Sequence, residues 1–70
     1  MTQTKTFFLN GEKYCTIDII NLSYLLDYFG YNSSLLVLEY NNFICNKDNW
    51  DKTYISDNDK IEIITIVGGG

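Results

Sequence analysis

The residues best suited to chemistry are three consecutive glycines, Gly68, Gly69 and Gly70, which directly follow an alternating strand pattern over residues 61–67. Glycine has no side chain, so three in a row form a flexible tail that a narrow cleft can admit. The reactive group of this tail is the α-carboxylate of Gly70, carried on the order of 10 Å beyond the strand when the glycines are extended. A carboxylate is a poor electrophile until it is adenylated. Because the sequence has no phosphate-binding loop, we expect a partner enzyme to supply the ATP chemistry.

The strand that precedes the glycines also offers a candidate docking patch. Successive side chains of a strand point to opposite faces of a sheet. If Ile61 and Ile63 face a helix, then Ile64 and Ile66 face away from it, and Phe8 can extend the same surface. Exposed apolar side chains of this kind are typical of a protein-docking surface. The alternative is that another strand or loop covers them, and the sequence leaves both possibilities open.

Two cysteines, Cys15 and Cys45, are the other residues whose type suggests reactivity. The sequence contains no histidine that could activate a thiol and no Cys-x-x-Cys pair. Both cysteines lie within apolar strand patterns, so we expect small buried residues with reduced thiols.

The carboxylates of the second half of the chain do not form a recognisable site. A calcium loop needs a glycine at its turn and a closing glutamate, and both are missing here. We therefore expect no metal, and a solvated, turn-forming acidic surface made of Asp48, Asp51, Asp57 and Asp59. With no histidine, no arginine and no clustered acid pair, we also expect no catalytic residues and no enzyme activity.

Length and charge narrow the class of protein further. Seventy residues make one domain near the lower size limit for a self-sufficient core, and 46% of them are apolar. The net charge is −4 and the five cations are all lysine, which disfavours nucleic acid and suits a basic protein partner. No signal peptide and no apolar run of about 18–20 residues is present, so no membrane span is expected. The composition resembles that of an AT-rich genome, consistent with the cytoplasm or with an organelle stroma such as that of a plastid.

The chain opens with a predicted β-hairpin. Residues 3–9 and 12–18 have strand patterns, and Asn10 and Gly11 between them suit a mirrored two-residue turn, which needs positive φ at both positions. The predicted core-facing residues of the hairpin are Phe7, Leu9, Cys15 and Ile17.

A short helix is predicted next, over residues 22–29. One apolar stripe at helical spacing consists of Leu22, Leu25, Leu26 and Phe29. Asn21 suits the N-cap, and Gly30 suits the left-handed position just past the end.

The second half of the chain predicts three further strands. The apolar run at residues 35–40 predicts a central strand covered on both faces, and Asn41 and Asn42 form a turn to a short strand at 43–45. Residues 47–53 read as a loop or one helical turn with Trp50 packed inward. A turn at 56–59, with Asn58 at positive φ, leads to the final strand, 60–67. The fold class is α+β, a mixed four- to five-stranded sheet with one helix packed across it; residues 1–67 form the domain and residues 68–70 the tail.

With these features in place, the sequence resembles the ThiS-type sulfur carrier proteins of thiamine biosynthesis, members of the β-grasp, ubiquitin-like superfamily. The segments that carry the resemblance are Asn10-Gly11-Glu12, Leu22 to Leu26, Asn41, Ile44-Cys45, Trp50, Asp57-Asn58-Asp59 and Val67 to Gly70. Asn46 stands where the family often has proline, and Asn58 where it often has glycine. Both departures concern turns.

The resemblance implies a protein co-substrate whose C-terminal Gly70 is modified. A ThiF-like adenylyltransferase, related to ubiquitin-activating enzymes, would use ATP and magnesium to form an acyl-adenylate there. Sulfur from a cysteine desulfurase relay would then give a thiocarboxylate, which a ThiG-like thiazole synthase would consume. Gly68 and Gly69 would thread into the partner's active site, and Ile64, Ile66 and Phe8 would contact the partner.

Two other readings remain open. A molybdopterin-synthase small-subunit-type carrier or a ubiquitin-like tRNA-thiolation carrier also ends in two glycines. A non-covalent β-grasp interaction module, in which the glycines are incidental, belongs to a different class and predicts no ATP-dependent modification.

Overall fold

One mixed sheet with an α-helix across it forms the described part of the chain, residues 3–66, in the computed structural model. The strands are β1 (Lys5–Leu9), β2 (Glu12–Thr16), β3 (Leu36–Tyr40), β4 (Phe43–Ile44) and β5 (Asp59–Thr65). The α-helix, α1, spans Leu22–Tyr28, and two 3-10 helices span Ser33–Leu35 and Lys47–Lys52. The strand order is β2-β1-β5-β3-β4, in which β1 and β5 are parallel and the other neighbours antiparallel. The predicted α+β class and mixed sheet are confirmed.

The core lies between α1 and one face of the sheet. Each long strand contributes alternate residues to it, as the pleat of a strand requires. The buried apolar residues are Phe7, Leu9, Leu22, Leu25, Leu26, Leu36, Leu38, Trp50, Ile55, Ile61 and Ile63. Full burial of one such side chain contributes roughly 1.5–3 kcal/mol, so this single cluster supplies most of the driving force for folding.

The β1–β2 hairpin has the predicted mirrored turn. Asn10 and Gly11 have φ values of 50° and 83°, as both central positions of this turn require. Asn10, the first residue of the turn, extends the pairing between β1 and β5 past the end of β1 at Leu9. The Asn10 backbone N–H donates to the Ile61 carbonyl at 2.9 Å, and its side-chain Oδ1 accepts from the Ile63 N–H at 2.7 Å. The turn therefore holds the middle of β5 in the sheet.

The predicted inner face of β2 is wrong. A two-residue turn pairs Leu9 with Glu12 and hence Phe7 with Tyr14, and directly opposed residues lie on the same face. Tyr14 is therefore the core-facing residue, and its ring lies 5.7 Å from that of Phe7. Cys15 is exposed, and Ile17 lies beyond the strand with 56% of its surface exposed.

The helix follows the predicted pattern with a small shift at its end. Asn21 is the N-cap, and its Oδ1 accepts from the Tyr24 N–H at 2.8 Å. The helix ends at Tyr28 rather than at residue 29, and Gly30 follows at a φ of 76°. The three leucines of the predicted stripe are buried, and Phe29 packs against the core as the C-cap residue.

The prediction that β3 is central and covered on both faces is wrong. The central strand is β5, and β3 lies between β5 and the short edge strand β4. Leu36 and Leu38 are buried under the helix, whereas Val37 and Glu39 are half-buried on the opposite face. The apolar run in the sequence did not reveal that its residues alternate between a buried face and a half-buried face.

Trp50 and the two turn departures behave as expected. Trp50 is buried within a 3-10 helix, and its Nε1 donates to the Cys45 carbonyl at 2.9 Å. Asn46 has a φ of −67°, which proline would also impose. Asn58 has a φ of 68°, which favours glycine or asparagine. Both asparagines therefore preserve the backbone that the expected residues would adopt.

Asp59 was predicted to be solvated, and this is wrong. Only 5% of its surface is exposed. Its carboxylate accepts from the Tyr40 hydroxyl at 2.5 Å, the Asn41 side-chain amide at 3.0 Å and the Ser56 N–H at 2.7 Å. Burial and the Asp59 carboxylate raise the pKa of Tyr40 to about 12. The other three aspartates of the predicted acidic surface, Asp48, Asp51 and Asp57, are exposed.

Candidate functional site

The last described strand separates two sets of isoleucines by simple alternation. Ile61 and Ile63 are buried against the helix, Ile61 completely. Ile64 and Ile66 point the other way, and each has 52% of its surface exposed. The described residues therefore leave these two side chains uncovered, as the docking prediction requires, although their role in docking remains a prediction.

Phe8 lies on the same side of the sheet but apart from this pair. It is half-buried and pairs with Lys60 of β5. Four residues of strand separate Lys60 from Ile64, which is about 13 Å at the usual rise. The structure thus brings Ile64 and Ile66 together and places Phe8 towards the opposite end of the sheet.

Two apolar residues that the sequence did not single out complete the patch. Val37 of β3 is directly opposite Ile64, and Ile44 of β4 is opposite Glu39, with 69% of its surface exposed. Alternation within β3 predicts that the Val37 side chain lies on the face opposite to Leu36 and Leu38, but only the strand order makes Val37 a neighbour of Ile64. We call the side of the sheet turned away from α1 the outer face. Its apolar and acidic members are Phe8, Val37, Glu39, Ile44, Glu62, Ile64 and Ile66, and it also carries Thr6, Lys13, Cys15 and Lys60.

The outer face is separate from the core. None of its residues belongs to the buried cluster or to the partly buried side chains packed against that cluster. A sheet face that no described element covers, with several large aliphatic side chains on it, is typical of a surface that binds another protein.

The base of the tail is held by backbone hydrogen bonds. The Ile66 N–H donates to the Leu35 carbonyl at 2.7 Å, which continues the β3–β5 pairing past the end of β5. On the other side, Asn10 holds Ile63. Val67, Gly68, Gly69 and Gly70 lie outside the described residues. An extended chain of four residues spans at most about 14 Å, which bounds the distance from Ile66 to the Gly70 carboxylate.

Neither cysteine is the fully buried residue that the sequence suggested. The Cys15 thiol lies on the exposed side of β2, 3.7 Å from the Thr6 hydroxyl, and Cys45 is half-buried. Both are free thiols. Across residues 3–66, no three or more histidine, cysteine or carboxylate side chains converge as metal ligands would.

No helix within the described residues has the length and apolarity needed to cross a bilayer.

The outer face also carries a pair of like charges. Glu39 and Glu62 are directly opposed in the antiparallel β3–β5 pair, and both are half-buried. Ile44 is opposite Glu39 on the other side, and the Val37–Ile64 pair lies two residues before Glu39 in β3 and two residues after Glu62 in β5. The acid pair therefore adjoins the apolar part of the face.

Comparison with known proteins decides the family. The model of the ThiS family matches residues 8–70, which is nearly the whole chain and includes the three glycines. This chain belongs to the ThiS family. In the crystal structure of the thiamine biosynthesis protein ThiS from Geobacter metallireducens, the fold is similar with a TM-score of 0.76 and 25% sequence identity. The similarity covers 93% of this chain and 99% of that chain, and it confirms the expected β-grasp fold.

Relatives from algae are closer in sequence. The protein named uncharacterized protein ycf40 from Trieres chinensis is 69% identical over 70 residues, covering all of this chain and 96% of the relative. The protein of the same name from Porphyra purpurea is 42% identical over 62 residues, or 89% of this chain and 87% of the relative. These relatives thus match between 89% and all of this chain.

Proposed function

We propose that this protein is a sulfur carrier that delivers sulfur for thiazole formation in thiamine biosynthesis, and that it acts as a protein co-substrate rather than an enzyme. The observation that carries the proposal is the ThiS family match, which extends through Gly70. The exposed Ile64 and Ile66 at the base of the tail support it, since a carrier must bind its enzyme close to the group that reacts.

The proposed chemistry takes place on the Gly70 carboxylate. In the active site of a ThiF-like adenylyltransferase, a carboxylate oxygen attacks the α-phosphorus of ATP, and magnesium pyrophosphate leaves. The outer sulfur of a persulfide, supplied by a cysteine desulfurase relay, then attacks the acyl carbon and displaces AMP, and a second thiol reduces the resulting acyl disulfide to the thiocarboxylate. A ThiG-like thiazole synthase takes that sulfur and returns the carboxylate for another cycle.

The domain and the tail have separate tasks in this proposal. Ile64 and Ile66 bind the partner, and Gly68 and Gly69 enter its active site, where side chains would not fit. Because at most about 14 Å of chain separates Ile66 from the carboxylate, the partner's binding surface must begin within that distance of its nucleotide site. ATP and magnesium belong to the partner, and this chain would bind neither alone.

We place the carrier in the plastid stroma rather than in a bacterial cytoplasm. The curated relatives come from algae, and the sequence composition suits an AT-rich organelle genome. Fractionation of algal cells into plastid stroma and other compartments, followed by immunoblotting with an antibody against this chain, tests this placement.

An intact mass spectrum tests the function. The protein is incubated with a ThiF-type adenylyltransferase, ATP, magnesium and a sulfur donor, and the expected result is a mass gain equal to one sulfur replacing one oxygen, mapped to Gly70. A chain lacking Gly70 should keep its circular dichroism spectrum and gain nothing. Asp48→Asn is the matched control, because it leaves the tail unchanged and alters only an exposed side chain, and it should be loaded as the wild type is. Sulfur accepted at the end of the shortened chain would contradict the proposal.

The same assay separates the alternatives. Loading by a molybdopterin-type activator alone would assign the protein to the molybdopterin carriers, and loading by a tRNA-thiolation activator alone would assign it to that class. Absence of loading by any of the three, with partner binding retained after removal of Gly69 and Gly70, would indicate a non-covalent binding module.

A further inference from the structure

The strand β2 has one edge that no described strand covers. It stands at one end of the strand order, and among residues 3–66 it pairs with β1 alone. The two-residue turn makes Leu9 and Glu12 a hydrogen-bonded pair, and from there alternate residues of β2 bond to β1. The N–H and carbonyl groups of Lys13 and Cys15 therefore point away from β1. We call this row of backbone groups the open edge; such an edge offers donors and acceptors to a further strand.

An apolar groove runs beside the open edge, between β2 and α1. Its volume is about 240 Å³, and its lining includes Phe7 and Tyr14 from the hairpin and Leu25 and Tyr28 from the helix. Phe7 and Leu25 are buried and form the floor, whereas Tyr28 stands at the rim with 72% of its surface exposed. Alternate side chains of a strand added to β2 would lie on the same side as Tyr14 and enter the groove.

The two ends of the groove differ in charge. At the end near the hairpin turn, the Glu12 carboxylate accepts from the Tyr14 hydroxyl at 3.5 Å. At the other end Asp18 lines the groove, but the Lys5 ammonium lies there too and donates to the Asp18 backbone carbonyl at 3.2 Å. The end near the turn is therefore the more acidic, and it favours a basic residue of whatever binds there.

We propose that the open edge and the groove together bind an extended segment of another protein as an added antiparallel strand. The inward side chains of this segment are aliphatic opposite Thr16 and Tyr14 and basic opposite Glu12. Main-chain hydrogen bonds to Lys13 and Cys15 provide affinity, and the groove selects the side chains. The site is separate from the glycine tail, so the inference stands whether or not the tail carries sulfur.

A second copy of β2 does not meet this description. Its inward residues are Glu12, Tyr14 and Thr16, which supply neither an aliphatic pair nor a basic end. In the antiparallel register centred on Cys15, two copies would also place Glu12 of each opposite Asp18 of the other, and like charges at such positions repel. Charge and side-chain shape therefore favour a different protein.

The probe is the heptapeptide Ser-Thr-Ile-Thr-Ile-Thr-Lys, acetylated and amidated, titrated into isotopically labelled protein and followed by two-dimensional NMR. In the proposed register its central threonine is opposite Cys15, and the next isoleucine is opposite Tyr14. We expect saturable shifts of the Lys13 and Cys15 amides. N-methylation of the central threonine removes a donor that faces β2 and should weaken binding about tenfold. N-methylation of the next isoleucine is the matched control, because that N–H faces away from β2, and should change the dissociation constant by less than about twofold.

Variants of the protein test the groove itself. Tyr28→Ala removes the rim and should weaken binding of the probe about fivefold. Phe43→Ala is the matched control, because it removes an aromatic side chain that is 77% exposed on β4, at the opposite edge of the sheet, and it should leave binding within about twofold. Neither residue belongs to the buried cluster, so both variants should keep the wild-type circular dichroism spectrum.

The charge of the groove is tested by the reversed probe, Lys-Thr-Ile-Thr-Ile-Thr-Ser. It has the same composition but places its lysine at the end that holds Lys5 and Asp18. It should bind about threefold more weakly at low salt, and the difference should shrink as salt is added. Tighter binding of the reversed probe would contradict the antiparallel register.

Other results would overturn the proposal as a whole. It is wrong if the probe causes no saturable shift, or if the shifts fall on Val37 and Ile64 of the outer face instead. It is also wrong if the two N-methylated probes bind equally, because strand pairing would then contribute nothing. Shifts of the Lys13 and Cys15 amides that depend on protein concentration without any probe would assign the open edge to a second copy. Sulfur loading is measured separately by the mass spectrum, so failure of one proposal is distinguishable from failure of the other.

Discussion

The two faces of β5 differ in what they require of their residues. On the face turned to α1, Ile61 and Ile63 are buried, and Asp59 has three hydrogen-bond donors around its carboxylate. On the outer face, Glu62 is opposed by another glutamate and Ile64 is exposed. The inner residues are buried, and the carboxylate among them is hydrogen-bonded. The outer residues are unfavourable for a stable surface in two ways, because two like charges are directly opposed and a large apolar side chain is exposed to water.

Under the proposed function, one strand serves both stability and recognition, through alternate residues. Neighbouring positions along β5 should therefore respond differently to the same substitution. The predictions below test that separation.

The largest effect is expected at Ile61. Ile61→Ala removes a completely buried side chain and should lower the free energy of unfolding by about 2–5 kcal/mol, measured by urea denaturation. Because a domain of this size has little stability in reserve, Ile61→Val, with an expected loss of about 0.5–1.5 kcal/mol, provides a variant that remains folded. If Ile64→Ala were as destabilising as Ile61→Ala, the two faces would not be distinct.

The next largest effect is expected at Asp59. Asp59→Asn replaces a buried acceptor of three hydrogen bonds with an amide that brings two donors to the same place. The loss should be about 1–3 kcal/mol, measured by chemical denaturation. Asp48→Asn, at an exposed position, is the matched control and should change stability by less than about 0.5 kcal/mol. Equal effects would contradict the buried environment of Asp59.

A smaller effect on stability, with a larger one on binding, is expected at Ile64. Ile64→Ala should cost about 0.2–1 kcal/mol through its lost pairing with Val37, and should raise KM for this chain in pyrophosphate release by a ThiF-type adenylyltransferase. Phe8→Ala should raise KM less, because Phe8 lies about 13 Å along the sheet from Ile64. A stronger effect of Phe8 would move the docking surface towards the other end of the sheet.

The smallest effect is confined to alkaline solution. The pKa of Tyr40 is raised from 10.0 to about 12 in the folded protein. The protonated hydroxyl therefore stabilises the fold fully below pH 10, and this stabilisation is lost as the pH rises towards 12. The difference in unfolding free energy between the wild type and Tyr40→Phe should shrink across this window, and the tyrosinate absorbance should show a late-titrating group that the Tyr40→Phe variant lacks. A constant difference would show that Tyr40 is not held by Asp59.

The local elements of this fold could be predicted from the sequence. The Asn10-Gly11 turn, the Asn21 cap, the leucine stripe of α1 and the inward direction of Trp50 each follow from signals within a few residues. The inner face of β2 could also have been predicted, because a two-residue turn fixes which residues of the two strands are opposed. The error came from choosing the face by the hydrophobicity of Cys15 and Ile17 alone.

Other features could not be read from the sequence, because they depend on strand order. Only the placement of β5 beside β3 brings Val37 and Glu39 to the outer face next to Ile64 and Glu62. The burial of Asp59 likewise arises from Tyr40, far away in the chain. The alternation of side chains along one strand was enough to predict that Ile64 and Ile66 are exposed. Identifying the residues that lie beside them required the strand order of the assembled sheet.

The contact between Asn10 and Ile63 bears on the order in which the sheet can assemble. It joins residues 53 positions apart, and it belongs to the central strand, which is also the last strand of the described chain. During synthesis the hairpin and the helix can form early, but the sheet keeps an open gap until β5 leaves the ribosome and fills it. An unfinished chain thus lacks the assembled outer face. Under the proposed function, sheet closure would act as a checkpoint, because a chain without β5 would have no face with which to bind the activating enzyme.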